Sequence, residues 1–205
     1  MKLRNTYYII RHGQNIHQIS NKKRKKPLIY PWPEKKPIRL TLQGKKEVLA
    51  SAKILKKKNI GLIYSSDMFR AKQTSEILAK ELKIKKITFD KRLRDGNLGI
   101  YNGRPKEVFY KEFFVVNTEE RFAKRPKGGE SWNDIKKRTA DFIKSVDKKY
   151  KNKNVLLVSH GDPLWLLESV VRGYSNKKAF DAIFDKKIYK LVIMKTGGLR
   201  KLYPF

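Results

Sequence analysis

Two short apolar runs, far apart in the chain, each end in a histidine followed by a glycine. Tyr7-Tyr8-Ile9-Ile10 leads into Arg11-His12-Gly13, and Val155-Leu156-Leu157-Val158-Ser159 leads into His160-Gly161. Apolar runs of this length, closed by turn residues, read as strands buried on both faces, the pattern of a parallel sheet covered by helices. In such sheets ligands gather at the carboxyl ends of the strands. The chain has three histidines, and two of them stand where a site would form. The third, His17, lies on the turn after His12 and reads as a rim or packing residue.

Strand and helix patterns alternate along the rest of the chain. Thr6 to Ile10 reads as the first strand, and a Lys- and Pro-rich loop from Ser20 to Arg39 follows, carrying Tyr30-Pro31-Trp32-Pro33. Thr41 is placed to cap a helix with Val48, Leu49, Ala52 and Leu55 on one stripe. Ile60 to Tyr64 reads as a strand, and Asp67 as the cap of a helix carrying Ala71, Thr74, Ile77, Leu78 and Leu82. A short strand at Ile87 to Phe89 precedes an irregular stretch from Arg92 to Arg104. Pro105 suits the first turn of a helix with Val108, Phe109 and Phe113. Gly128-Gly129-Glu130-Ser131 leads into a long helix through Trp132, Ile135, Phe142, Ile143 and Val146. Pro163 starts a helix with Leu164, Leu167 and Val171, and Ile188 to Met194 reads as the last strand. This alternation predicts an α/β fold, a three-layer α/β/α sandwich around a mostly parallel sheet. With no repeat and no linker, residues 1–205 read as one domain.

Composition removes several classes of chemistry. The chain has no cysteine, which excludes disulfides, thiolate catalysis and zinc–thiolate sites. The apolar stretch near the start is too short for a signal peptide and is used by the first strand, and no run approaches membrane-spanning length. A cytoplasmic protein without a membrane partner is the expectation. Fifty Lys and Arg against 19 Asp and Glu give a net charge of +31. A nucleic-acid partner is one reading of that charge. The favoured one is a generally lysine-rich chain, because lysine pairs recur at successive helix ends and loops instead of on one patch. The one dense run is Lys22-Lys23-Arg24-Lys25-Lys26.

Taken together, the motifs resemble the histidine phosphatase superfamily, the phosphoglycerate mutase-like proteins with RHG and SHG signatures. Arg11-His12-Gly13 resembles the nucleophile signature, and Leu40-Thr41 through Gly44 the helix opening that follows it. Ser65-Ser66-Asp67-Met68-Phe69-Arg70-Ala71-Lys72-Gln73-Thr74 resembles the segment supplying a second phosphate-binding arginine. Leu93 to Gly103 resembles the acid-bearing stretch, and Gly128 to Ser131 with Ser159-His160-Gly161 completes the order. The resemblance implies a phosphoglycerate mutase-like fold and hydrolysis of phosphomonoesters through a phosphohistidine.

The residue chemistry agrees with that implication. A neutral His12 can attack phosphorus and divide one hard step into two easier ones. Arg11 and Arg70 offer forked donors that match phosphate oxygens, and His160 adds another. Gly13, Asn15, Gln18 and Gly161 are expected beside the bound phosphate. No carboxylate cluster of metal-ligand type is visible, so neither metal nor cofactor is expected.

Three departures from the family pattern matter. Asp95, in Leu93-Arg94-Asp95-Gly96-Asn97-Leu98-Gly99, stands where the family usually has glutamate, one methylene longer. It is the expected general acid, with Asp162 and Glu130 as alternative carboxylates. Asp162 reads rather as a helix-start residue, and Glu130 as structural or as an orienter of Arg70 or His12. Asn15 and Gln18 replace the family's usual Ser or Thr and Asn. Lys22 to Lys26, with Tyr30 and Trp32, form either a cationic rim for polyanionic substrates or a solvated loop. The reading is a phosphomonoesterase acting on a small phosphorylated metabolite. A phosphoglycerate mutase-type phosphoryl transfer and a low-turnover phosphoanion- or RNA-binding protein are the alternatives.

Overall fold

In the computed structural model, residues 1–34, 36–113, 118–184 and 194–202 are described. Among these residues five strands, β1 (Thr6–Arg11), β2 (Leu62–Ser65), β3 (Ile87–Phe89), β4 (Asn154–Ser159) and β5 (Leu199–Leu202), form one sheet in the order β3-β2-β4-β1-β5. β1, β2, β3 and β4 are parallel, and β5 runs antiparallel along the outer edge of β1. The described helices are α1 (Ile16–Lys23), α2 (Leu42–Leu55), α3 (Phe69–Leu82), α4 (Lys106–Glu112), α5 (Thr118–Ala123), α6 (Trp132–Lys149), α7 (Gly161–Val171) and α8 (Asn176–Phe184).

The side chains of β4 show why the sheet is a middle layer. Val155 and Leu157 face one side and pack with Phe142, Ile143 and Val146 of α6 and Leu164 and Leu167 of α7. Leu156 and Val158 face the other side and pack with Val48, Ala52 and Leu55 of α2 and Ala71 and Leu78 of α3. A strand alternates its side chains with period two, so a continuous apolar run must be covered on both faces. Burying a leucine of this kind is worth about 1.5–3 kcal/mol.

The same topology makes the site. The chain leaves β1 toward α2 on one face and leaves β4 toward α7 on the other. β1 and β4 are neighbours, so a crevice opens between their carboxyl ends, where α/β sheets take their ligands. Their register pairs Arg11 with Ser159, which sets His12 beside His160.

Several local expectations change. Ser20 to Lys23 belong to α1, so the long loop begins at Arg24, and His17 is a helix residue. Asp67 does not cap α3: Met68 occupies that position without a side-chain cap, and Asp67 instead takes the Arg94 guanidinium at 2.6 and 2.5 Å. Leu49 lies off the buried stripe, 39% exposed. α7 starts at Gly161, with Pro163 inside its first turn. α5 and α8 were not foreseen. The strand expected at Ile188 to Met194 lies outside the described residues except for Met194, which is not in a strand.

Candidate active site

The loop after β1 is held where only glycine fits. A Cβ on Gly13 would be driven into the Gly44 carbonyl, and one on Gly44 into the Gln14 backbone. The two glycines therefore let the first turn of α2 lie against the turn that carries His12. Thr41 caps α2 by accepting from Gly44 N–H at 2.9 Å and donates to the Gln14 side chain at 2.9 Å. Thr74 of α3 accepts from Gly13 N–H at 3.2 Å. The Leu-Thr-x-x-Gly pattern is thus a brace for the histidine turn.

His12 is 1% exposed and His160 fully buried, with ring centroids 5.1 Å apart. Burial, and after it the Arg70 charge, hold both imidazoles well below their ordinary pKa, so both are neutral at pH 7. His12 Nδ1 lies 2.9 Å from the Gly13 carbonyl, which can only accept. The proton of the neutral ring is therefore on Nδ1, and Nε2 carries the lone pair.

Arg70, from the first turn of α3, is a fully buried cation. Its Nε reaches His12 Nε2 at 3.3 Å, and Nη2 donates to Asp95 at 2.8 Å. Nη1 donates to Glu34, and the Tyr30 ring lies 4.4 Å from the guanidinium carbon. A buried guanidinium requires carboxylate partners of this kind. Burial raises the Glu34 carboxyl, with Arg70 opposing it. Glu34 was missed in the sequence, where it is one charge in a Pro- and Lys-rich segment with no periodicity to mark it.

Asp95 lies between Arg70 and His160, its Oδ2 3.7 Å from His160 Nδ1. Its loop is fixed by Arg138, which donates to the Asp95 carbonyl at 3.1 Å and to Glu130 at 2.7 and 3.2 Å. Glu130 also accepts from Asn97 N–H at 3.0 Å. Glu130 is therefore turned toward the Asp95 loop and not toward Arg70 or His12, because α6 presents Arg138 to it. Gly99, at φ +56°, sits where a Cβ would meet the Lys127 carbonyl.

Arg11 anchors Nη1 on the Met194 carbonyl at 2.9 Å, beside Gly161. Asn15 and Gln18, expected at the phosphate, are turned into the start of α1. Asn15 accepts from Gln18 N–H, and Gln18 accepts from Asn15 N–H, both at 3.1 Å. The Asn15 amide nitrogen donates to the Tyr30 hydroxyl at 3.0 Å. His17 stacks on Tyr30 with centroids 4.2 Å apart. Asp162 opens onto the pocket, and crowding by protein, then the Asp95 charge, raises its carboxyl.

Of these groups, Arg11, Arg70, Asp95, Glu130 and Asp162 line a pocket of about 450 Å³, and His12 and His160 are buried against the Arg70 and Asp95 of that lining. Its walls are aromatic: Tyr30, Trp32, Phe109, Tyr110, Trp132 and Trp165. Lys106 and Arg121 are the further cations of the lining. Arg24 lines a neighbouring hollow with His17 and Trp32, and Lys26 pairs with Glu107 at 2.8 Å on the surface. Among the described residues no three His, Asp or Glu side chains converge to hold a metal ion.

Comparison with known proteins places this geometry. Residues 7–200 match the model of the histidine phosphatase superfamily, branch 1. The probable phosphoglycerate mutase GpmB of Salmonella choleraesuis is 31% identical over 140 residues, covering 65% of this chain and 63% of that protein. The match thus spans under two thirds of the curated relative. Among solved structures, the α-ribazole phosphatase of Shigella flexneri superposes with a TM-score of 0.75 at 18% identity, covering 96% of this chain and 89% of that one. A mycobacterial glucosyl-3-phosphoglycerate phosphatase gives 0.74 at 20% identity, covering 96% and 90%. The paired histidines at adjacent strand ends, the buried arginine and the family match together make this chain a member of the histidine phosphatase superfamily, branch 1.

Proposed function

We propose that the chain is a metal-independent phosphomonoesterase that works through a phosphorylated His12 on a small phosphorylated metabolite. The observation that carries this reading is His12 itself, neutral, buried, with Nδ1 held by the Gly13 carbonyl and Nε2 turned to the Arg70 guanidinium, which in turn holds Asp95. Nε2 attacks phosphorus while the bond from phosphorus to the leaving oxygen breaks and its electron pair departs with that oxygen. Asp95, in its protonated form, supplies the proton the leaving oxygen needs. Arg11, Arg70 and His160 hold the phosphoryl oxygens, with Arg70 exchanging its 3.3 Å contact to Nε2 for the stronger one to an oxyanion. Asp95 as carboxylate then takes a proton from water, the water oxygen bonds phosphorus, and the phosphorus–nitrogen bond breaks to return neutral His12 and release phosphate.

In this reading Gly13 and Gly161 serve as close neighbours of the two histidines. Asn15 and Gln18 serve by holding α1 and Tyr30. The aromatic walls suit a leaving group with apolar faces, and the cationic lining an anionic one. The name of the GpmB relative supports a second reading, in which the phosphoryl group returns to a phosphoglycerate instead of to water. Those of the two structural relatives support hydrolysis.

Hydrolysis of p-nitrophenyl phosphate with EDTA present tests the proposal, comparing the native chain with His12→Ala, Asp95→Asn and Asp162→Asn. The expected result is turnover by the native chain, abolished in His12→Ala and reduced about 10²–10⁴-fold in Asp95→Asn. Full activity in His12→Ala would overturn the mechanism. Loss in Asp162→Asn with Asp95→Asn active would move the acid to Asp162.

A further inference from the structure

His160 Nε2 lies 2.9 Å from Ser66 Oγ, and both residues are fully buried. The same hydroxyl oxygen accepts from Met68 N–H at 3.3 Å. A serine hydroxyl has one proton and two lone pairs, and among the described residues His160 Nε2 is the one acceptor within reach of that proton. A neutral imidazole accepts at one nitrogen only when its own proton is on the other. His160 Nδ1 is buried, has no hydrogen-bond partner, and is aimed at the Asp95 side of the pocket, 3.7 Å from its carboxylate. A lone pair at that spot would face the phosphoryl oxygens, and the Asp95 carboxylate once its proton has gone to the leaving oxygen, and would repel both. A proton there satisfies all of them.

We propose that Ser66 is a positioning residue that fixes His160 in the Nδ1–H form, so that the ring presents an N–H donor to the phosphoryl oxygens. This rests on the phosphatase reading for the purpose of the donor, while the proton position stands on geometry alone. The two histidines then share one tautomer and use opposite ends of it. His12 spends its proton on the Gly13 carbonyl and exposes its bare nitrogen as nucleophile. His160 has its bare nitrogen covered by the Ser66 hydroxyl and exposes its proton as electrophile. An acceptor anchors the attacking ring and a donor anchors the holding ring. Ser66 reaches His160 because β2 and β4 are neighbours, with Ser65 in register with Val158 and Ser66 N–H donating to the Val158 carbonyl at 2.9 Å.

The test is the ¹⁵N spectrum of the histidine side chains, which separates Nδ1–H from Nε2–H rings directly and needs no substrate. With three histidines in the chain, His12→Gln and His17→Gln variants assign the signals. Native His160 is expected as Nδ1–H. Ser66→Ala should shift it toward Nε2–H and lower turnover of p-nitrophenyl phosphate by about 10²-fold, the usual cost of losing one oxyanion donor. Ser66→Thr keeps the hydroxyl and should restore both. A native His160 protonated on Nε2 would overturn the proposal, and this reading holds even if Ser66→Ala does not fold. An unchanged tautomer in folded Ser66→Ala would overturn it equally. A native chain with the expected tautomer but no hydrolysis of any phosphomonoester would count against the phosphatase reading and not against the proton position.

Discussion

His12 and His160 are titratable groups kept uncharged by being folded. Each has a folded-state pKa well below the ordinary 6.5, with burial as the largest cause and Arg70 next. Between the lowered value and 6.5, the unfolded chain binds protons that the folded chain refuses, so stability rises with pH through that window. The contribution is complete above about pH 6.5 and is lost as the pH falls below it. Denaturant titrations at about pH 7.5 and about pH 5.5 should show the loss, and His12→Gln/His160→Gln should show a shallower one. A double variant as acid-sensitive as the native chain would reject this account. Catalysis should be less affected, since His12 keeps its lone pair where an ordinary histidine would be protonated.

Among the elements, the strands at the heart of the sheet were legible because each is a short apolar run closed by turn residues. The helix α1 was not. None of its residues is buried, so no stripe marks it, and what holds it is the reciprocal cap of Asn15 and Gln18. Those two amides read as phosphate donors in a sequence because their helix does not announce itself. The loop that carries Asp95 was legible only as a motif; Arg138, which fixes it, lies 43 residues further on, in α6. The Tyr30–Glu34 segment is a strap whose partner is Arg70, and that pairing follows from tertiary placement alone.

Two substitutions, each with a control, test these placements. Gly44→Ala should displace the Gln14 backbone and cost about 2–4 kcal/mol with a matching loss of turnover, whereas Gly61→Ala, with open space around it, should leave turnover intact. Glu34→Ala removes one partner of a buried guanidinium and should lower the melting temperature by several degrees. Glu81→Ala breaks a surface pair with Lys56 and should shift it little. Equal shifts would show that Glu34 is not seated on Arg70.

On the scale of the whole molecule, charge is spread over the surface while the pocket has its own cations. Lys22, Lys23, Lys25 and Lys26 are exposed, and Lys106 and Arg121 line the cavity. A net charge of +31 attracts any phosphate dianion at long range, and salt screens that attraction within about 8 Å at physiological strength. The ratio kcat/KM for a phosphomonoester should therefore fall several-fold as salt rises from about 0.05 to about 0.5 M, with kcat nearly constant. Neutralising Lys22, Lys23, Arg24, Lys25 and Lys26 should flatten that salt dependence more for a bisphosphate than for p-nitrophenyl phosphate if the run steers polyanions. Equal flattening assigns them to the general field of the surface.

The segment that leads into β5 clasps the turn that carries His12. Gly197 N–H donates to the Arg11 and His12 carbonyls, both at 3.1 Å, and Met194 holds the Arg11 guanidinium. The turn that carries His12 is thus clasped by residues 183 or more positions further along the chain. A chain cut between His160 and Met194 would keep both histidines and the four parallel strands, and would leave the first histidine's turn unclasped.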